Sequence, residues 1–236
     1  MNENELLQVI TDYFEENIFD NHKKNVLKEH SKLKSYKINP IIVKYLSKVL
    51  EDNYTPIGIA KALYYPRVLG TSITTSFGTR IQRMFVELGL ADGSLIPEMD
   101  IEFIDKIDNR RKWCQLKSGP NTINSGDVKP LLRKFSKVAN LGRTNAMNLS
   151  NSDLILGVLY GSEEQLSQHY KNIDETYPVI VGIDFWHRLT GFPDFYNKLV
   201  ANLDSMILNI DTENFFEQGY LKLAEEIENS GLFDLE

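Results

Sequence analysis

The fold is decided by a stretch that reads MDIEFIDKIDNRRKWCQLK, residues 99–117. The sequence at both ends of this stretch is typical of β-strands, and Asp108-Asn109 between them is typical of a turn. We therefore predict a β-hairpin. Because side chains alternate along a strand, Asp100 and Glu102 are expected on one face of the first strand.

The second strand of the predicted hairpin carries two polar side chains on one face, Gln115 and Lys117. Cys114 and Leu116 alternate with them and are expected to enter the core. The hairpin thus brings an acid beside a glutamine and a lysine. Carboxylate oxygens are natural ligands for Mg²⁺, and a lysine beside such an ion offsets the charge that builds on a phosphate. This pattern suits metal-dependent phosphodiester hydrolysis.

The segments around the hairpin predict an α/β fold. Short apolar runs at 154–160 and 177–183 are typical of strands buried on both faces. Helical spacing of apolar residues predicts helices within 3–19, after Pro40, after Thr55-Pro56, at 73–90, at about 126–141, after Pro193-Asp194 and at 215–227. We expect a mixed central β-sheet flanked by helices, with an N-terminal helical section.

The chain shows no repeat or linker, so we expect a single domain over residues 1–236. Within that domain, residues 1–70 form the helical section, 71–200 the core that carries the hairpin, and 201–236 a C-terminal helix.

The charge is unevenly distributed along the chain. Residues 21–50 carry eight lysines and a single acid, and residues 109–143 carry nine lysines or arginines and a single acid. Residues 1–20 and 201–236 are acidic, and the net charge is −7. Two basic blocks in an acidic molecule are expected if one face meets a polyanion, although a solvated lysine-rich helix face would look the same.

Several function classes are disfavoured. No stretch approaches about eighteen uninterrupted apolar residues, so we expect no membrane span. An acidic N-terminus and the single cysteine, Cys114, favour a cytoplasmic protein. The histidines lack the spacing of a zinc site. The segment GTSITTSFG (70–78) lacks the Gly-Lys-Ser/Thr of a phosphate loop, so ATP dependence is not expected.

The hairpin resembles the PD-(D/E)xK nuclease superfamily. Asp100 followed by Gln115-Leu116-Lys117 is similar to its motif, and QLKSGPNTIN (115–124) resembles the segment after the catalytic lysine in some type II restriction endonucleases. YPVIVGIDFWHRLTGFPDFY (177–196) also resembles a segment of those enzymes. The resemblance implies a restriction-endonuclease-like fold, Mg²⁺ dependence, and a homodimer that cuts double-stranded DNA. Enzymes with a similar segment tend to read GC-rich interrupted palindromes.

The resemblance assigns roles to individual residues. Asp100 becomes the metal-binding acid, Lys117 the catalytic lysine, and the Leu116 carbonyl a further metal ligand. Gln115 departs from the motif, which has Glu or Asp there, so a second acid is expected from Glu87 or, as the next candidate, Glu102. The loop and helix that follow supply the DNA-binding candidates Ser118, Asn121, Thr122, Asn124, Arg133, Lys134 and Lys137.

Three functions stay open at this point. The first is a sequence-specific, Mg²⁺-dependent type II restriction endonuclease. The second, motivated by Gln115, is a DNA-binding module on a nuclease fold that has lost cleavage. The third is a repair nuclease that cuts flaps, mismatches or junctions.

Overall fold

The structure is a computed structural model, and it describes residues 1–146, 148–212 and 214–233. These residues form two compact units. The first unit consists of Met1–Thr11 and Gly78–Ser205, and the second of Asp12–Phe77 and the described residues from Met206 onward. Compact units of this kind can belong to one domain or to two, so the expectation of a single domain stays a prediction. No helix among the described residues has the length and apolar character needed to cross a membrane.

The elements follow the predicted order. The strands are β1 Asp92–Gly93, β2 Ile101–Ile104, β3 Arg111–Lys117, β4 Leu154–Val158 and β5 Val179–Val181. The helices are α1 Glu3–Tyr13, α2 Asp20–Asn25, α3 Pro40–Glu51, α4 Pro56–Pro66, α5 Ile73–Glu87, α6 Ser125–Thr144, α7 Gln168–Asp174, α8 Ile183–Thr190, α9 Phe195–Asn209 and α10 Phe215–Ser230. The predicted mixed α/β fold is confirmed.

The sheet of the first unit has the order β1-β2-β3-β4-β5. The β1, β2 and β3 strands are antiparallel, whereas β3, β4 and β5 are parallel. Parallel neighbours need a crossover connection, and α6 and α7 supply the two crossovers. The parallel pairing places the carboxyl end of β3 beside the carboxyl end of β4, since Lys117 pairs with Val158.

Helices cover both faces of this sheet, which explains why β4 is apolar throughout. Leu156 and Val158 belong to a core cluster that contains Phe135 of α6 and Tyr170 of α7. On the opposite face, Gly157 leaves space for α8. A Cβ atom at Gly157 would lie 2.5 Å from the ring of Phe185, so any larger residue would displace that ring.

The second unit is helical. Its core joins α4 and α10 through Ile59, Tyr64 and Leu223, with Val26 packed against them. Thr55 caps α4 as predicted, because its hydroxyl accepts a hydrogen bond from the Gly58 backbone N–H at 3.2 Å. The helical region near the N-terminus is interrupted by π-helical turns at Phe14–Phe19 and Val26–His30.

Candidate active site

The hairpin forms as predicted, with a longer turn than Asp108-Asn109 alone. Ile104 pairs with Arg111, so the turn spans the six residues between them. The carboxylate of Asp105 accepts the Ile107 N–H at 2.8 Å, and Asp108 accepts the Arg110 N–H at 2.9 Å. Each aspartate side chain thus accepts a backbone N–H two residues further along the chain, which is how Asp and Asn commonly stabilise turns.

Asp100 lies one residue before β2. Its backbone N–H donates to the Cys114 carbonyl at 2.9 Å, although the sheet register already pairs Cys114 with Ile101. Two residues of one strand thus face one residue of the next, which is the pattern of a β-bulge. The expectation that Asp100 and Glu102 share one face assumed a regular ladder, and it stays a prediction.

The Asp100 carboxylate lies against the middle of the Gln115-Leu116-Lys117 triad. Its Oδ2 atom accepts the Leu116 backbone N–H at 2.7 Å. On the other side, the Asp100 carbonyl accepts a hydrogen bond from Gln82 of α5 at 3.0 Å. The structure therefore brings together Asp100, Gln115 and Leu116, which are three of the predicted metal-binding residues.

Gln115 is buried and holds two partners. Its Nε2 atom donates to the Glu98 carbonyl at 2.5 Å, and its Oε1 atom accepts from the Lys134 ammonium at 3.4 Å. The amide thus connects β3 to the segment before β2 and to α6. A carboxylate at this position would lack the N–H donor for the Glu98 carbonyl.

Lys117 is half-buried at the carboxyl end of β3. Its backbone carbonyl accepts the Leu159 N–H at 3.0 Å, which ties the strand end to the residue after β4. Its ammonium makes no hydrogen bond or ion pair with the residues that the structure describes. The charge is therefore available to an anionic ligand.

Glu87 and Glu102, the two candidates for a second acid, lie in different surroundings. Glu102 is 8% exposed, and its carboxylate accepts from Ser94 Oγ at 2.8 Å and from Arg111 at 3.1 Å. Glu87 is exposed as the last residue of α5. Glu98 was not singled out in the sequence, yet it contacts Gln115. The one feature of the sequence that could have indicated Glu98 as a site residue was its position two residues before Asp100.

The loop after β3 is partly structural. Thr122 donates to the Gly119 carbonyl at 3.1 Å, and its hydroxyl lies 2.9 Å from that of Tyr170. Asn124 caps α6 by accepting the Gly126 N–H at 2.8 Å. By contrast, Ser118 and Asn121 show no side-chain hydrogen bond among the described residues, and Asn121 is exposed.

The basic residues of α6 are exposed but not equivalent. Lys134 reaches Gln115, and Lys137 lies 3.3 Å from the Glu98 carboxylate. Arg133 has no ion-pair partner among the described residues. The next-turn spacing of Lys134 and Lys137 places both on the side of α6 that meets the hairpin.

Several basic residues counted in the sequence serve the fold instead. Lys112 is 2% exposed and donates to Asp153 at 3.1 Å and to Asp108 at 2.6 Å. Arg110 also pairs with Asp153. Burial alone would raise the pKa of Asp153, but the bonds from Arg110, the Ser150 backbone and Lys112 outweigh it and hold that pKa well below its usual range. The Lys112 charge is buried and therefore does not contribute to a polyanion-binding face.

The lone cysteine faces the core as expected. Cys114 is fully buried, and burial raises the pKa of its thiol. A buried protonated thiol is unreactive, so this residue is not a nucleophile.

Oxygen donors, rather than a cluster of acids, characterise the site. No three His, Cys, Asp or Glu side chains come together as a metal site anywhere in the described ranges. The donors at hand are the Asp100 carboxylate, the Gln115 amide oxygen and the carbonyl of Leu116, the residue that follows Gln115. Mg²⁺ prefers oxygen ligands, keeps several waters and needs only one or two carboxylates, so this set fits it.

One comparison with known proteins identifies a family for this chain. A family model described as the type II restriction endonuclease EcoO109I matches residues 8–209. No curated protein matches the chain. The matched range exceeds half of the 236 residues and contains the hairpin, the loop after it and all of α6. The chain therefore belongs to the EcoO109I family of type II restriction endonucleases and is a site-specific deoxyribonuclease.

Proposed function

We propose that this enzyme cuts double-stranded DNA in a Mg²⁺-dependent and sequence-specific reaction at the site formed by Asp100, Gln115, Leu116 and Lys117. The observation that carries the proposal is the 2.7 Å hydrogen bond from the Leu116 N–H to the Asp100 carboxylate. This bond holds the acid against the triad that resembles the catalytic motif.

The four residues divide into cation ligands and a lysine that acts on the water and the phosphate. Asp100, the Gln115 amide oxygen and the Leu116 carbonyl would hold the cation, which supplies Lewis-acid stabilisation of the phosphate. Lys117 orients the attacking water and balances charge on the scissile phosphate. Water adds across the P–O3′ bond, and the products are a 5′-phosphate and a 3′-hydroxyl. Glu87 and Glu102 stay candidates for the second acid.

We propose a homodimer that reads a GC-rich interrupted palindrome. A twofold-symmetric DNA site is matched by a twofold-symmetric protein, and the segment 115–124 supports this class of site through its resemblance. Ser118, Asn121, Thr122 and Asn124 lie immediately after β3, where side chains and backbone N–H groups can meet phosphates or base edges.

A plasmid digest tests the proposal. Mg²⁺ is expected to give discrete fragments, EDTA to abolish them, and restored Mg²⁺ to recover them, because the site lacks enough positive charge without a cation. Sequencing the fragment ends reads out the site, and sedimentation on a duplex that contains it is expected to show two chains. Binding without cleavage in Mg²⁺, Mn²⁺ and Co²⁺ would favour the binding module, and cutting restricted to flaps or junctions would favour the repair nuclease.

Arg133 tests the proposed DNA contacts of α6. Arg133→Ala is expected to weaken binding uniformly across sequences and to lower the slope of log affinity against log salt by about 1, since one phosphate contact is lost. Fluorescence anisotropy at several salt concentrations measures this slope. Lys171→Ala, which removes an exposed charge on α7, is the matched control. An unchanged slope for Arg133→Ala would show that this residue does not contact the backbone.

A further inference from the structure

Gln115 leaves the site short of one negative charge. The motif has an acid at this position, and among the donors already described only Asp100 is charged. A single carboxylate holds Mg²⁺ weakly unless a second acid contributes. The identity of that second acid is therefore the open chemical question of the site.

We propose that the Glu98 carboxylate takes the place, beside Asp100, of the acidic side chain that Gln115 lacks. The proposal rests on the proposed Mg²⁺-dependent cleavage and deepens it by one residue. Two acids, one amide oxygen and one backbone carbonyl then form the donor set, with water completing it.

The first support is the bond that joins Gln115 to Glu98. The Gln115 amide donates to the Glu98 carbonyl at 2.5 Å. Glutamate or aspartate at position 115 is an acceptor when ionised and could not make this bond. The glutamine therefore gives up a charge at position 115 but fixes the backbone of an acidic residue next to the site.

The second support is the state of the Glu98 carboxylate. Its side chain is 26% exposed, and its partner, Lys137, is 71% exposed at 3.3 Å. Ion pairs with an exposed lysine contribute little to stability and exchange readily. Lys137 can therefore leave Glu98 when a divalent cation competes for the carboxylate.

The third support is position. Glu98 lies two residues before Asp100 and contacts α6 through Lys137, while Gln115 contacts α6 through Lys134. Position 98, position 115 and the two lysines therefore form one contact network. Glu102 differs, because Arg111 and Ser94 already hold its carboxylate.

Binding of Mn²⁺ alone, followed by the electron paramagnetic resonance signal of the free ion, tests the proposal without relying on cleavage. Glu98→Gln is expected to weaken Mn²⁺ binding about ten-fold or more, since the ion loses a charged ligand. Lys137→Met is expected to tighten it a few-fold, because the competing ammonium is gone. If Glu98 is a ligand, the gain from Lys137→Met is expected to shrink in the Glu98→Gln background, whereas a purely structural role for Glu98 predicts the same gain in both backgrounds.

A charge rescue and a control sharpen the test. Gln115→Glu in the Glu98→Gln background returns one carboxylate to the site and is expected to restore part of the Mn²⁺ affinity. Glu175→Gln, which changes an exposed glutamate near the end of α7, is expected to bind Mn²⁺ as the unaltered enzyme does. Circular dichroism melts confirm that each variant is folded.

The outcomes separate this proposal from the proposed function. If Glu98→Gln binds Mn²⁺ normally while Asp100→Asn loses it, Glu98 is not a ligand and the cleavage site stands. If Asp100→Asn also binds Mn²⁺ normally and still cuts DNA, the cleavage site itself is misplaced and both proposals fail.

Discussion

Lys117→Ala is expected to lower the rate of DNA cleavage by about a thousand-fold, in the range seen when one preorganised charge-stabilising group is removed. The reason is that the Lys117 ammonium has no internal partner in the described chain and stands at the carboxyl end of β3, where we propose that the phosphate binds. Its charge is thus available to the transition state and is not needed to hold the fold.

Single-turnover cleavage of a duplex that contains the recognised site measures this loss. DNA binding is expected to change by only a few-fold, because one phosphate contact contributes modestly to affinity. Asp100→Ala is expected to abolish cleavage in the same assay. Lys129→Ala removes an exposed charge of α6 and serves as control. A Lys117→Ala enzyme that cuts at the normal rate would remove this lysine from the catalytic site.

Asp153→Ala is expected to lower the free energy of unfolding by about 3 kcal/mol, because it leaves the buried Lys112 ammonium without its buried partner. Asp153 is 1% exposed and Lys112 is 2% exposed. Asp184→Ala changes an exposed aspartate of α8 and is expected to cost far less. Urea unfolding followed by circular dichroism measures the difference. The double variant Lys112→Met with Asp153→Leu is expected to recover part of the loss, because it removes both buried charges.

The same pair sets a pH dependence. The pKa of Asp153 is lower in the folded state than in the unfolded chain, so its ionised form stabilises the fold above the unfolded value of about 4. That contribution declines as the pH falls through and below this value, because the unfolded chain then takes up the proton first. Asp153→Asn is expected to make the free energy of unfolding depend less on pH in the acidic range. An unchanged pH dependence would contradict the assignment of this effect to Asp153.

Local patterns predicted most of the fold. Within the run at 154–160, Leu154–Val158 is buried and forms β4, with α6 on one side and α8 on the other. The Thr55-Pro56 cap and the start of α9 after Asp194 follow from short-range chemistry that a sequence displays directly. These elements depend on neighbours only a few residues away.

The parts that were missed depend on distant residues. Lys112 is buried against Asp153, which lies 41 positions away in sequence, so the sequence alone could not separate its charge from those of exposed lysines. The irregular pairing, in which Asp100 and Ile101 both face Cys114, arises between two strands and has no local signature in the sequence. The hydrogen bond between the Gln115 amide and the Glu98 carbonyl joins residues 17 positions apart, and no local sequence pattern indicates it.

The burial of Cys114 gives this enzyme a built-in reporter. It is the only cysteine of the chain, and it sits on the strand that carries Gln115 and Lys117 with its sulfur fully enclosed. A maleimide can reach that sulfur only when the strand separates from its neighbours. The rate of alkylation therefore measures how often β3 separates from its neighbours, with no added label, and it can be followed as metal or DNA is supplied.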